Sequence, residues 1–195
     1  MMREALGGAW LATLAATTLL AAAAPTAKEA GAMPKFTLTS TDFSDGSTLA
    51  SAQVFNDMGC TGRNISPALA WSGAPAGTQS FALMVHDPDA PTGSGWWHWV
   101  VYNIPPNVSS LPAGAGDPKK ALMPKGAVQA RTDYGTVGYG GPCPPPGKPH
   151  HYNFKLYALK VPKLEAPDGA SGALIGFNVR AQALGEAQLT GMYGR

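Results

Sequence analysis

From Ser80 to Ile104 the chain reads as strand, loop and strand, and this pattern most restricts the folds open to it. The runs Ser80 to His86 and Trp97 to Ile104 are dense in β-branched and aromatic residues and have strand length. Between them, Asp87-Pro88-Asp89-Ala90-Pro91 and Gly93-Ser94-Gly95 form turns, because proline presets φ and an Asp side chain bonds the backbone two residues on. Acidic turn residues therefore stand a few positions ahead of an aromatic strand, Trp96-Trp97-His98-Trp99, that carries one imidazole. Loops held by a rigid scaffold carry binding groups out of proportion to their length, so this junction is a candidate ligand site.

A second segment completes the candidate. Gly138-Tyr139-Gly140-Gly141-Pro142-Cys143-Pro144-Pro145-Pro146-Gly147 is excluded from helix and central strand, since glycine has no side chain to pack and proline has no N–H. It predicts a rigid, irregular loop. His150-His151-Tyr152-Asn153-Phe154-Lys155-Leu156-Tyr157-Ala158-Leu159 follows as a strand, and alternation puts His150, Tyr152, Phe154 and Leu156 on one face.

The whole organisation is predicted to be mainly β. Strands are expected at Phe36 to Thr41, Ala68 to Trp71, Ser80 to His86, Trp97 to Ile104, Val137 to Tyr139 and Tyr152 to Leu159, in sheets packed face to face. One helix is expected from Ser171 to Gln188, where Leu174, Phe177, Ala181, Leu184 and Ala187 or Gln188 recur at helical spacing. The chain of 195 residues is 45% apolar, and its residues 35–195 are enough for a single domain with a sizeable core.

Several ordered motifs together resemble the phosphatidylethanolamine-binding protein family, also called the Raf-kinase-inhibitor-protein family, in its bacterial branch. They are Asp87-Pro88-Asp89-Ala90-Pro91, Trp96-Trp97-His98-Trp99, Gly141-Pro142, His150-His151-Tyr152, the run Gly59 to Trp71 and the closing Leu189 to Arg195. The resemblance implies an antiparallel β-sandwich, a large central sheet with a smaller one against it, and a C-terminal helix. It also implies a small anion-binding pocket lined by Asp87, His98, His150 and Tyr152, with Pro91, Trp96, Gly141 and Pro142 shaping the wall. Two imidazoles and a phenol supply donors to an oxyanion, and backbone N–H groups of the Gly-rich loop are expected to add more. Asp87 would fix an imidazole tautomer and favour a protonated histidine beside it. In eukaryotic relatives this pocket accompanies inhibition of kinases or serine proteases, an inheritance that fold alone supports weakly.

Alternatives stand beside this reading. His98 reads equally as a strand histidine satisfied by a carbonyl, and Asp89 as a turn former. Asp87, His98 and His150 have the composition of a two-histidine, one-carboxylate metal triad, but the family implies an anion binder, so no metal and no cofactor are expected. A His/His/Asp/Tyr cluster also suits a hydrolase or esterase with a histidine base. No Gly-x-Ser-x-Gly elbow supplies a nucleophile, and binding without catalysis is the expectation. A secreted interaction or inhibitor protein is the third class.

Residues 1–24 read as a signal peptide: Arg3 precedes a small, apolar run from Gly8 to Ala24, with cleavage expected near Ala23 or Ala24 and a short linker at 25–34. An N-terminal anchor is the alternative, although the run is short for a span. A periplasmic or secreted protein with no stable membrane span after cleavage is expected. There, Cys60 and Cys143 are expected to pair, two buried free thiols being the alternative. The formal charge of +2 comes with no basic run or face, and no basic residues alternate with the tryptophans, which excludes nucleic acid as an expected partner.

Overall fold

The computed structural model describes Met2 and residues 35–195, so the expected leader at 1–24 (Met2 apart) and linker at 25–34 lie outside the described residues. The elements are β1 (Thr37–Ser40), β2 (Leu69–Ser72), β3 (Ser80–Asp87), β4 (Trp96–Ile104), β5 (Ser110–Leu111), β6 (Val128–Gln129), β7 (His150–Leu159), α1 (Gly172–Gln182) and β8 (Ala183–Tyr193), with a 3₁₀ turn at Pro118–Lys120. They form two antiparallel sheets, a small one ordered β1-β2-β5 and a large one ordered β6-β4-β3-β7-β8.

β3 lies at the centre of the large sheet and is covered on both faces, which is why Phe81-Ala82-Leu83-Met84-Val85 reads as an unbroken apolar run. On one face, Leu83, Val85, Trp99, Phe154 and Leu156 pack with Leu38, Leu69 and Trp71 of the small sheet. On the other, Ala82, Met84, Val100, Tyr157 and Leu159 meet Ile175 and Val179 of α1. The described layers are small sheet, large sheet and helix.

Two sequence expectations are corrected. The helix stops at Gln182, and Ala183 to Tyr193 is an eleven-residue strand paired along β7 from His150↔Tyr193 to Leu159↔Ala183. In that stretch Ala187, Leu189 and Gly191 are buried in alternation with Glu186 and Gln188, which are exposed. Leu184 and Ala187, three residues apart, fit a helical spacing but fall on opposite faces of a strand, whereas Ala187, Leu189 and Gly191 follow a period of two; the long pairing with β7 decides for the strand. Val137 to Tyr139 is not a strand; Val137 makes only an isolated bridge to Arg131. β5 and β6, two residues each, are too short to carry a readable alternation.

Candidate functional site

The site forms where β3 ends, β4 begins and β7 begins. A bulge in β4 decides which way its histidine points. Val85 pairs with Trp99 and His86 with Trp97, leaving His98 as the extra residue on β4. Strict alternation would place His98 with Val100, under the helix. The bulge instead turns His98 to the face of Trp99, where its ring lies 5.0 Å from that of Tyr152 at 80°.

Asp87, the last residue of β3, is 3% exposed and fully engaged. One carboxylate oxygen accepts the N–H groups of Asp89 (2.8 Å) and Ala90 (3.1 Å), which closes the turn after the strand. The other lies 2.7 Å from Nδ1 of His150, so that nitrogen carries the proton and Nε2 is left for a ligand. Gly95 brings the returning chain tightly over this turn. Its φ is +74°, and a Cβ there would lie 2.5 Å from both the Asp87 carbonyl and the His86 ring, so only glycine fits. The neighbouring pair is structural: Asp89 accepts both the backbone N–H and Nδ1 of His151 at the surface. The bond from that backbone N–H, more than the imidazole, holds the Asp89 carboxyl below its ordinary range.

His98 is 3% exposed, and its Nδ1 lies 2.7 Å from the Gly140 carbonyl, to which it donates. Burial pushes its pKa down to about 4; the bond to Gly140 and the charge of Asp87 oppose this without reversing it. The expectation of a protonated imidazole beside Asp87 is corrected at this position: His98 is neutral at pH 7, with a lone pair on Nε2.

Two donors complete the lining. The Tyr152 hydroxyl and the Trp96 indole N–H are buried and have no hydrogen-bond partner among the described residues. Burial raises the phenol's pKa far above its ordinary value, so it stays protonated. Asp87, His98, His150 and Tyr152, together with Pro91 and Trp96, line one cavity of about 350 Å³. The arrangement can donate hydrogen bonds from an indole and a phenol to a ligand, and from Nε2 of His150 when that imidazole carries a second proton, while walling its flank with apolar surface.

A family model described as phosphatidylethanolamine-binding protein matches residues 39–194. The chain belongs to this family. The UPF0098 protein YbcL of Escherichia coli is 48% identical over 182 residues, covering 93% of this chain and 97% of its own length. LppC of Mycobacterium tuberculosis, which carries a lipoprotein name, is 38% identical over 165 residues, 84% of this chain and 75% of its own. The crystal structure of YbcL, described as a new member of the mammalian family, matches with a TM-score of 0.81 and 50% identity over 83% of this chain and 99% of that one.

In this phosphatidylethanolamine-binding protein family member, Gly141 and Pro142 stand behind the cavity wall and do not line it. A Cβ on Gly141 would lie 2.0 Å from the Gln53 carbonyl, so the glycine is required by close backbone approach. Pro142 accepts the N–H of Phe55. The backbone donors expected of the Gly-rich loop are also committed: Gly140 N–H to the His98 carbonyl and Gly141 N–H to the Asn64 side chain. Cys60 and Cys143 form a disulfide with Cα atoms 5.9 Å apart, and Cys143 lines the cavity.

Three lining residues were not read as site residues, Arg195 being noted only within a closing motif. Tyr134 sits in a turn, stacks on Phe55 at 4.2 Å, packs edge-on to Trp96 and His98, and donates to the Gly141 carbonyl. Met58 and Arg195 come from distant parts of the sequence and meet at the rim. Among the described residues no three His, Cys, Asp or Glu side chains gather as a metal site, and no helix is long and apolar enough to cross a membrane.

Proposed function

We propose that this protein is exported to the periplasm or secreted and binds a small anionic group in the cavity: phosphate, a phosphomonoester or a phospholipid headgroup. The observation that carries the reading is the pair of buried donors, Tyr152 Oη and Trp96 Nε1, without acceptors among the described residues and belonging to two residues that line one cavity. An unpaired buried polar group costs about 1–3 kcal/mol, and an indole can only donate, so a ligand oxygen that accepts from both removes the penalty. His150 Nε2, aimed by Asp87, adds a third group. Export is supported by the signal-like residues 1–24, by the disulfide and by a relative with a lipoprotein name.

The Asp87–His150 pair also has the form of an oriented general base. Among the described lining residues no free side-chain nucleophile stands beside it. Thr92 supplies the lining's aliphatic hydroxyl and donates it to the Gly95 carbonyl, and Cys143 is tied in the disulfide. Titration calorimetry with inorganic phosphate and phosphoethanolamine tests the reading. His150→Ala is expected to weaken binding by about 1.5–3 kcal/mol, roughly 10- to 150-fold. Failure of the wild type to bind either anion would sink it. Hydrolysis of p-nitrophenyl phosphate or acetate by the wild type, lost in both His98→Ala and His150→Ala, would make the protein an enzyme instead.

A further inference from the structure

The helix face of the large sheet carries a second cavity, of about 230 Å³, that shares no lining residue with the first. It opens between α1, which supplies Gly176 and Arg180, and the strands β3, β4 and β7, which supply Met84 and His86, Trp97, and Asn153 to Tyr157 in alternation. Lys155 and Arg180 bring fixed positive charge to the lining, and no Asp or Glu belongs to it. The helix wall is Gly176, where a Cβ would lie 3.1 Å from Met84 Cε, so α1 approaches the sheet closely over an apolar floor of Met84 and Trp97.

The polar groups of this lining are oriented by partners outside it. Asn153 Oδ1 accepts from Thr190 Oγ1 at 3.0 Å and from Gln188 Nε2 at 3.3 Å. Both partners stand on β8, so the NH₂ end of the amide is turned away from β8, towards His86, which pairs with Asn153 on β3. His86 in turn donates from Nε2 to the Ser94 carbonyl at 3.0 Å, and its ring lies 4.2 Å from that of Trp97. Lys155 Nζ donates to Glu186 Oε1 at 2.9 Å, and the two charges cancel. Burial pushes the Tyr157 phenol up to about 12, so it adds no charge. Arg180 makes no ion pair among the described residues. One uncancelled positive charge, on a planar fork of donors, therefore borders a cavity with an apolar floor.

We propose that this cavity is a second ligand site and that it takes a small monocarboxylate with a short apolar body. The Arg180 guanidinium matches a carboxylate through two parallel hydrogen bonds, the Asn153 amide donates a further one, and the apolar body lies against Met84 and Trp97. A second negative charge finds no second free cation, because Lys155 is already paired, and Glu186 repels it. Nothing in this site depends on what the first cavity binds.

Two-dimensional NMR of the ¹⁵N-labelled protein, titrated with isovalerate, tests this. The Asn153 side-chain amide and Trp97 indole N–H signals are expected to shift along one saturating isotherm, in the wild type and equally in His150→Ala. Arg180 is exposed, so Arg180→Gln should keep the melting temperature while losing about 10- to 100-fold in affinity. Arg180→Lys keeps the charge without the fork and should fall between the two. Methylsuccinate, in which a second carboxylate replaces one methyl of isovalerate, should bind more weakly. No shift at Asn153 or Trp97, wild-type affinity in Arg180→Gln, or methylsuccinate binding at least as tightly would each overturn the inference. Shifts that vanish in His150→Ala would assign isovalerate to the first cavity and overturn it as well.

Discussion

Burying His98 in its neutral form makes the fold sensitive to mild acid, and the sensitivity can be worked out. The pKa is about 4 in the folded protein against an ordinary 6.5. The unfolded chain therefore binds more protons than the folded one throughout that interval, and stability rises with pH across it. His98 contributes its full stabilisation above the unfolded value and loses it as pH falls from 6.5 towards 4. Integrating the linkage relation between pH 7 and pH 4.5 gives a loss of about 2 kcal/mol from this side chain. Asp87 opposes the shift and His86 adds to it. His98→Asn keeps a donor for the Gly140 carbonyl at the position of Nδ1 but has no proton to gain. Urea unfolding of both proteins at pH 7 and pH 4.5 is the assay, and the variant is expected to lose about 2 kcal/mol less than the wild type between them. Asp89 also titrates with folding, but its lowered pKa moves its loss to pH below about 3.8, outside the comparison. Equal losses in the two proteins would show that His98 is not buried neutral and would refute the reasoning.

Two further outcomes follow from named contacts. Tyr152→Phe removes a buried hydroxyl that has no partner, so stability in urea should hold or rise by about 1 kcal/mol while phosphate binding weakens about tenfold or more; a clear loss of stability would mean the hydroxyl bonds within the fold. The Cys60–Cys143 bridge closes a separation of 83 residues, for which the chain-entropy model gives about 4.5 kcal/mol at most. Dithiothreitol followed by alkylation should therefore lower the melting temperature by several degrees, and an unchanged melt would remove the bridge from the stability of the fold.

What could be read from the sequence divides along physical lines. β3 and β7 were legible because each is bounded by turn formers and carries an apolar run that only a covered sheet buries. β8 was hidden because Leu184 and Ala187 extend the helical spacing of the residues before them, and pairing with β7, distant in sequence, settles the matter. Ser171 does cap the helix as its position suggests, accepting the Leu174 N–H, but the end of the helix has no glycine or proline to mark it. Asp87, His98, His150 and Tyr152 share one cavity, yet the direction of His98 depends on a one-residue bulge that leaves no mark in composition or period. Gly141 and Pro142 show the converse: their residue types announced a constraint, and the one visible in the structure is backbone packing against Gln53 and Phe55. Tyr134 stayed invisible because a tyrosine in a turn has no signature until the turn is folded against Trp96.

The cavity's lining is gathered from Met58, from Asp87 to His98, from Tyr134 to Pro146 and from His150 to Arg195, segments joined through the large sheet, the disulfide and the contacts of the loops. Its geometry therefore exists only while the domain is folded, and an unfolded chain offers a ligand nothing to hold. Occupancy is then a global stabiliser: at a hundred times its dissociation constant any ligand of this cavity raises the unfolding free energy by about 2.7 kcal/mol, wherever in the fold the opening begins. A thermal-shift screen of anions needs no assumption about chemistry and would rank candidates directly, because every true occupant must move the melting temperature of the whole domain.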